Sequence, residues 1–139
     1  MLTIEPLTLL QVRQEWGWIR NGLQEVIGRC QERWSPEDVW MATQTNDAFV
    51  WRITVQHDDI GFMVLRTMRD GDGPVLFIWA LWTEPNAILR KLPELHERLI
   101  EVCHRIGAKR IRMESPRKGW CVLERLNFTE RSVNYEYEV

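Results

Sequence analysis

The residues able to do chemistry are few and mostly isolated along the chain. His96-Glu97 opens like the zinc-protease helix motif His-Glu-x-x-His, but the second histidine falls due at residue 100, which is Ile. His96, Cys103 and His104 share one helical stretch, with residues 96 and 103 near one face. Lacking a carboxylate in register they make no zinc set, and no metal is expected. Asp70-x-Asp72-Gly73 matches the start of a calcium loop, yet the ligand due at the twelfth position is Leu81, so the segment reads as a hairpin turn. No Gly-x-Ser-x-Gly, P-loop or Gly-x-Gly-x-x-Gly offers a hydrolase or nucleotide reading. Lys109, Arg110, Arg112, Arg117 and Lys118 gather beside Trp120, a pairing that can hold single-stranded nucleic acid. Glu114 and Glu124 interrupt that cluster, and the alternation from Lys109 to Arg112 is that of a strand with one solvated face. Nucleic-acid binding is therefore not expected.

Any remaining chemistry has to be positioned by a single domain, residues 1–139, because the chain shows no repeat, linker or block of like charge. With 45% hydrophobic and 27% charged residues it is no disordered, collagenous or rod-like chain. The 18 Lys and Arg against 20 Asp and Glu leave a formal charge of −2, too balanced for global attraction to nucleic acid. No apolar run reaches the roughly 18 residues of a membrane span, and Met1-Leu2-Thr3-Ile4-Glu5-Pro6 lacks a signal peptide's basic start and apolar stretch. A cytoplasmic protein is expected, its Cys30, Cys103 and Cys121 reduced and mostly buried.

The element order is set by period and caps. Leu2–Ile4 is a short strand. Thr8 caps a helix running to about Arg29, with Leu9, Val12, Trp16, Ile19, Leu23, Val26 and Ile27 at helical spacing and Gly17 and Gly22 weakening it. Ser35-Pro36-Glu37-Asp38 starts a second helix, which ends near Gln44. From Ala48 the period becomes two, with Phe49, Trp51, Ile53 and Val55 on one face, and His57-Asp58-Asp59 forms a turn. Ile60 to Arg69 and Val75 to Trp82 are apolar on both faces, as central covered strands are, and Asp70 to Pro74 joins them. Ile88, Leu92, Leu95, Leu99, Val102 and Ile106 form the stripe of a long helix. Its regular part starts at Leu92 or Pro93 and stops at Gly107. Lys109–Glu114 is a strand, Pro116–Leu126 a short helix, and Thr129–Val139 a last strand burying Tyr135 and Tyr137. The expected class is α/β (α+β), order βααβββαβαβ: a mixed, mostly antiparallel sheet of about six strands with helices on both faces.

This order, with Gly107-Ala108-Lys109-Arg110-Ile111 joining the long helix to the fifth strand and Leu123-Glu124-Arg125-Leu126-Asn127-Phe128 turning a short helix into the last, resembles the GNAT (Gcn5-related N-acetyltransferase) superfamily. The resemblance implies acetyl-CoA in a cleft where the fourth and fifth strands splay, its pyrophosphate on backbone N–H groups at the start of the long helix. It places the cofactor-binding positions at Trp82, Ile88, Leu89, Arg90, Lys91 and Leu92. It also makes Glu84, at the end of the fourth strand, the base that deprotonates an acceptor amine. Two departures accompany it. The family's loop glycines fall on Arg90 and Leu92, so phosphate contacts would come from the charges of Arg90 and Lys91, and Pro93 removes a donor. The family's usual acid tyrosine falls on Leu123.

Two functions are compatible with these features. In one the protein is an N-acetyltransferase acting on a primary amine of a small molecule or protein. In the other it is a non-catalytic GNAT-like binding or assembly module, like the small GNAT-like proteins of tailed phages, found in host cytoplasm or virion. The second draws on eight tryptophans against two tyrosines and four phenylalanines, since tryptophan is enriched where surfaces bind a partner or a second copy. Trp51, Trp79 and Trp82 fall on strands and read as core. Trp16 and Trp18 lie about 200° apart on one helix and so should not face one core. Trp18, Trp34, Trp40 and Trp120 are the candidates for an exposed patch.

Overall fold

The computed structural model describes residues 1–88, 90–114, 128–129 and 135–138. Its elements are β1 (Leu2–Pro6), α1 (Leu9–Gln14), α2 (Trp16–Cys30), α3 (Pro36–Gln44), β2 (Phe49–Val55), β3 (Asp58–Asp70), β4 (Gly73–Thr83), α4 (Leu92–Ile106) and β5 (Arg110–Met113). The expected helix at Pro116–Leu126 and nearly all of the expected last strand lie outside the described residues. Within them the sheet has five strands.

Local chemistry accounts for most boundaries. Thr8 and Ser35 each close a capping box, with Gln11 and Asp38 returning the bond, and Pro36 adds a preset φ where no N–H is needed. Gly107 ends α4 with φ 74°, a conformation glycine adopts without a Cβ penalty. The single long helix expected from Thr8 is instead two, because Glu15 (φ −103°, ψ 13°) ends α1 and begins α2, and its carboxylate is ion-paired with Arg52 of β2. The β2–β3 turn is Gln56–His57, both at positive φ, and Asp58 already belongs to β3. Asp70 pairs directly with Gly73, which shortens the next turn to Gly71-Asp72.

The strands run in the order β1-β2-β3-β4-β5, antiparallel except for β4 and β5, which are parallel as a helical crossover requires. Two apolar layers result. On one face Leu2, Ile53, Met63, Leu65, Leu76 and Ile78 meet the α4 stripe of Leu95, Leu99 and Val102. On the other, Val50, Phe62, Val64 and Ala80 meet Val12, Ile19, Leu23 and Val39 of α1, α2 and α3. Helices thus cover both faces. No helix among the described residues is long and apolar enough to cross a membrane.

The tryptophans correct two expectations. All seven described ones are half-buried, and six of them line the α1–α3 layer, Trp51 alone packing on the α4 side. Trp16 and Trp18 both join that layer despite their angular separation, because α2 packs on α3 with one flank and on β4 with another. Trp16 meets Trp40 at 4.9 Å on one flank, and Trp18 meets Phe62 at 5.5 Å on the other. Tyr135 and Tyr137 are not buried: residues 135–138 pair with no strand among the described residues, and the two residues are 94% and 88% exposed. Glu136 and Glu138 of the same segment reach Arg33 at 2.6 and 3.4 Å.

Candidate functional site: the open edge of β4

The parallel register runs from Val75↔Arg110 to Ile78↔Met113 and stops there. Beyond it Trp79–Thr83 continues with β3 on one side and, among the described residues, no strand on the other. At the same point β4 carries a bulge. Val64 pairs with Ala80 and Leu65 with Ile78, leaving Trp79 as the extra residue. An inserted residue reverses the facing of the strand beyond it. Leu76 and Ile78 therefore pack toward α4, whereas Trp79, Ala80 and Trp82 pack toward α1–α3.

Indoles furnish that face. Trp82 stands edge-on to Trp18 (5.8 Å, 89°) and Phe62 (5.7 Å), and its Nε1–H donates to Glu25 Oε2 at 2.7 Å. Gly22 permits this approach of α2 to the sheet, since a Cβ there would come within 2.8 Å of Trp82 Cδ2. The residue that weakens the helix locally also lets it pack. Trp79 lies under the Arg66 guanidinium at 5.1 Å and meets Trp34 edge-on at 5.7 Å.

Two carboxylates act on one another near the end of β5. Period two places Arg110 and Arg112 opposite to Ile111 and Met113, which pack on the α4 side, and Glu114 follows the last residue of the strand and is exposed. Glu32 is half-buried. Burial holds its carboxyl above the usual glutamate range and the Glu114 charge adds to this, while the Trp34 side chain opposes it. The sequence reading missed Glu32, Trp34 and Glu114 as a group. Glu114 was legible only as an interruption of a basic run, and nothing in the order of residues brings the α2–α3 loop to the end of β5.

The sequence-derived candidates lie at the outer end. Glu84 is exposed, and its backbone N–H extends the ladder by donating to Ile60 O at 2.8 Å. At about 3.3 Å per residue it is about 16 Å along the strand from Trp79. Ile88 and Leu92 pack on the aliphatic layer next to α4, Arg90 is exposed, and Leu89 lies outside the described residues. The Trp82 side chain faces the opposite layer, so the structure does not bring it together with Ile88 and Leu92. Lys91 Nζ is tied to Glu94 Oε1 at 3.1 Å, and the other Glu94 oxygen accepts the Leu2 N–H at 3.0 Å. These contacts, the Leu2 N–H foremost, hold the Glu94 carboxyl below its usual range. No side chain caps α4, whose first residues are Leu92, Pro93 and Glu94.

Other features offer less. A cavity of about 220 Å³ between α1, α3 and β2 is lined by Leu7, Leu9, Val12, Ala48 and Phe49 among others, with no titratable group. Cys103 is buried, which raises its thiol, and His96 meets Phe128 edge-on at 5.6 Å. Among the described residues no three His, Cys, Asp or Glu side chains gather as metal ligands.

A parallel β4–β5 pair and a bulge in β4, inside a mostly antiparallel sheet with helices on both faces, match the GNAT acetyltransferase fold. Comparison with solved structures bears this out over the whole chain. A ribosomal-protein-alanine N-acetyltransferase from Brucella melitensis biovar Abortus 2308 superposes with a TM-score of 0.73 at 12% identity, covering 100% of both chains. A predicted acetyltransferase from Clostridium acetobutylicum, solved with acetyl-CoA, gives 0.70 at 13%, covering 99% of this chain and 96% of that one. An aminoglycoside acetyltransferase from an uncultured soil metagenomic sample, in complex with sisomicin, gives 0.68 at 15% with the same coverages. No protein-family model and no curated protein matches the sequence. At these identities the likeness establishes the fold.

Proposed function

We propose that the protein is an acyltransferase that moves an acetyl group from acetyl-CoA to a primary amine. The observation that carries this reading is the β4 edge at Trp79–Thr83, which pairs with no strand among the described residues, in a chain that has the GNAT fold. A free strand edge presents alternating N–H and C=O groups to any extended chain carrying amides, as the pantetheine arm of coenzyme A does.

The start of α4 suits the diphosphate in part. The N–H groups of Leu92 and Glu94 have no earlier helical carbonyl to bond, and they sit at the positive end of the helix. Arg90 is exposed to solvent and can add charge. Pro93 withholds one donor, and Lys91 is shared with Glu94. Ile88, Leu89 and Leu92 shape the segment that carries these groups.

The acceptor amine approaches from the α1–α3 face, walled by indoles. It arrives as an ammonium and must lose a proton before it can attack. Glu84, exposed at the outer end of the edge, is the base. The leaving thiolate needs little help, since thiols ionise near pH ~8.5. The assembly-module reading relied on exposed, adjacent tryptophans; Trp18, Trp34 and Trp40 are half-buried and do not support it, and Trp120 lies outside the described residues.

Calorimetry with acetyl-CoA up to millimolar concentration tests the reading. Saturable binding heat is expected, with a thermal stabilisation equivalent to about 2.7 kcal/mol at 100 times the Kd. Neither heat nor shift at millimolar donor overturns it.

A further inference from the structure

We propose that Glu25, fixed by the indole of Trp82, binds a second ammonium of the acceptor, so that the preferred substrate is a diamine or a longer polyamine. The inference rests on the acyltransferase reading and names the substrate class within that site.

Geometry supplies the first argument. Trp82 belongs to the stretch of β4 that pairs with β3 alone among the described residues, and its Nε1–H donates to Glu25 Oε2 at 2.7 Å. That bond joins the sheet to α2 across 57 residues of sequence. It depends on Gly22, whose missing side chain leaves room for the Trp82 ring, and Trp18 and Phe62 hold the same ring edge-on. A glutamate on a helix surface is ordinarily free to change rotamer. This one is pinned to the strand, yet its side chain is still 53% exposed. Glu84, the base, lies two residues beyond Trp82, about 7 Å along the strand.

Charge supplies the second. Arg29, one helical turn on, faces Glu25 Oε2 at 3.5 Å, with both side chains more than half exposed. A pair so exposed is worth little, and an ammonium can take the place of the guanidinium. A carboxylate has two oxygens and about four lone-pair sites, and the Trp82 and Arg29 contacts both fall on Oε2. A primary ammonium, with three donors, can therefore bond Glu25 without displacing the Trp82 N–H. A monoamine engages Glu84 alone. A diamine places one ammonium on Glu25 and the reacting amine at Glu84, with its nitrogens separated by roughly the step from Trp82 to Glu84, as in 1,4-diaminobutane.

The test pairs kinetics with a readout on the free protein. Wild type should acetylate 1,4-diaminobutane with a kcat/KM about tenfold above that for butylamine. Glu25→Gln keeps a carbonyl oxygen for the Trp82 N–H and removes only the charge. It should therefore raise KM for the diamine until the two acceptors are equal, with kcat within twofold of wild type and butylamine unaffected. Glu25→Asp should recover part of the preference. In the protein without acetyl-CoA, 1,4-diaminobutane should shift the Trp82 Nε1–H resonance saturably in wild type and not in Glu25→Gln. The inference is overturned if wild type treats the two acceptors alike, if Glu25→Gln slows both equally, or if the diamine leaves the Trp82 resonance unmoved. Absence of acetyl-CoA binding to the wild type would instead overturn the acyltransferase reading, and the Trp82 resonance would still decide whether Glu25 binds a diamine.

Discussion

The two halves of β4 obey different rules. From Val75 to Ile78 the strand is hydrogen-bonded on both edges, its Val75 and Leu76 are buried, and a clasp of charges closes its end. There Asp70 accepts from Arg110 at 2.5 Å and from Arg112 at 3.0 Å, tying the β3–β4 turn to β5. From Trp79 to Thr83 one edge has no strand among the described residues, the large side chains are half-buried, and the indole N–H of Trp82 meets an acid. One residue, the bulged Trp79, separates the regimes. The paired half is built to be stable, while the other half has an edge that pairs with no strand among the described residues.

The contrast would be broken most directly in the paired half. Leu76→Ala removes a buried side chain between β3 and α4 and should cost about 3 kcal/mol, with a range of about 2–5. Urea denaturation measures it, and a loss below about 1 kcal/mol would show that this half is not the rigid one. In the open half, Trp82→Phe keeps an aromatic ring but loses the 2.7 Å bond to Glu25, which is part-exposed, so about 1 kcal/mol is expected in the same assay. A cost matching that of Leu76→Ala would erase the distinction between the halves.

The smallest effect concerns the clasp. The backbone N–H of Asp72, then Arg110 and Arg112, hold the Asp70 carboxyl below its usual range. A depressed carboxylate contributes stability above its unfolded value of ~3.9 and loses it as pH falls through the folded value. Asp70→Asn should therefore flatten the decline of thermal stability below about pH 4 and narrow the gap to wild type there. High salt should shrink the difference, because the groups are exposed. Identical melting curves for the two proteins from pH 2 to 7 would show that the clasp contributes nothing.

How far the sequence could be read depended on whether a feature was local. The boxes at Thr8 and Ser35, the start of α4 at Leu92 and its stop at Gly107 were legible, because caps and prolines act within a turn of themselves. The break at Glu15 was not, since its partner Arg52 lies 37 residues away. The bulge was hidden as well: Val75 to Trp82 is apolar on both faces, so no alternation was present to reveal a change of phase at Trp79. Of the site, the outer end was legible through spacing from Gly107. The inner end was not, because Trp34 belongs to a loop that the fold alone brings to Trp79.

The amino-acid order by itself determined the succession of helices and strands, the stripe that seats α4 on the sheet, and a resemblance to the GNAT superfamily, all of which depend on period and on contacts a few residues long. Tertiary structure decided that six indoles line one layer and that β4 turns over at Trp79. It also decided that Trp34 of the α2–α3 loop meets Trp79 at the bulge. Such meetings depend on which elements pack together, and a side chain's effective basicity is governed by that burial and those neighbours more than by its place in the chain.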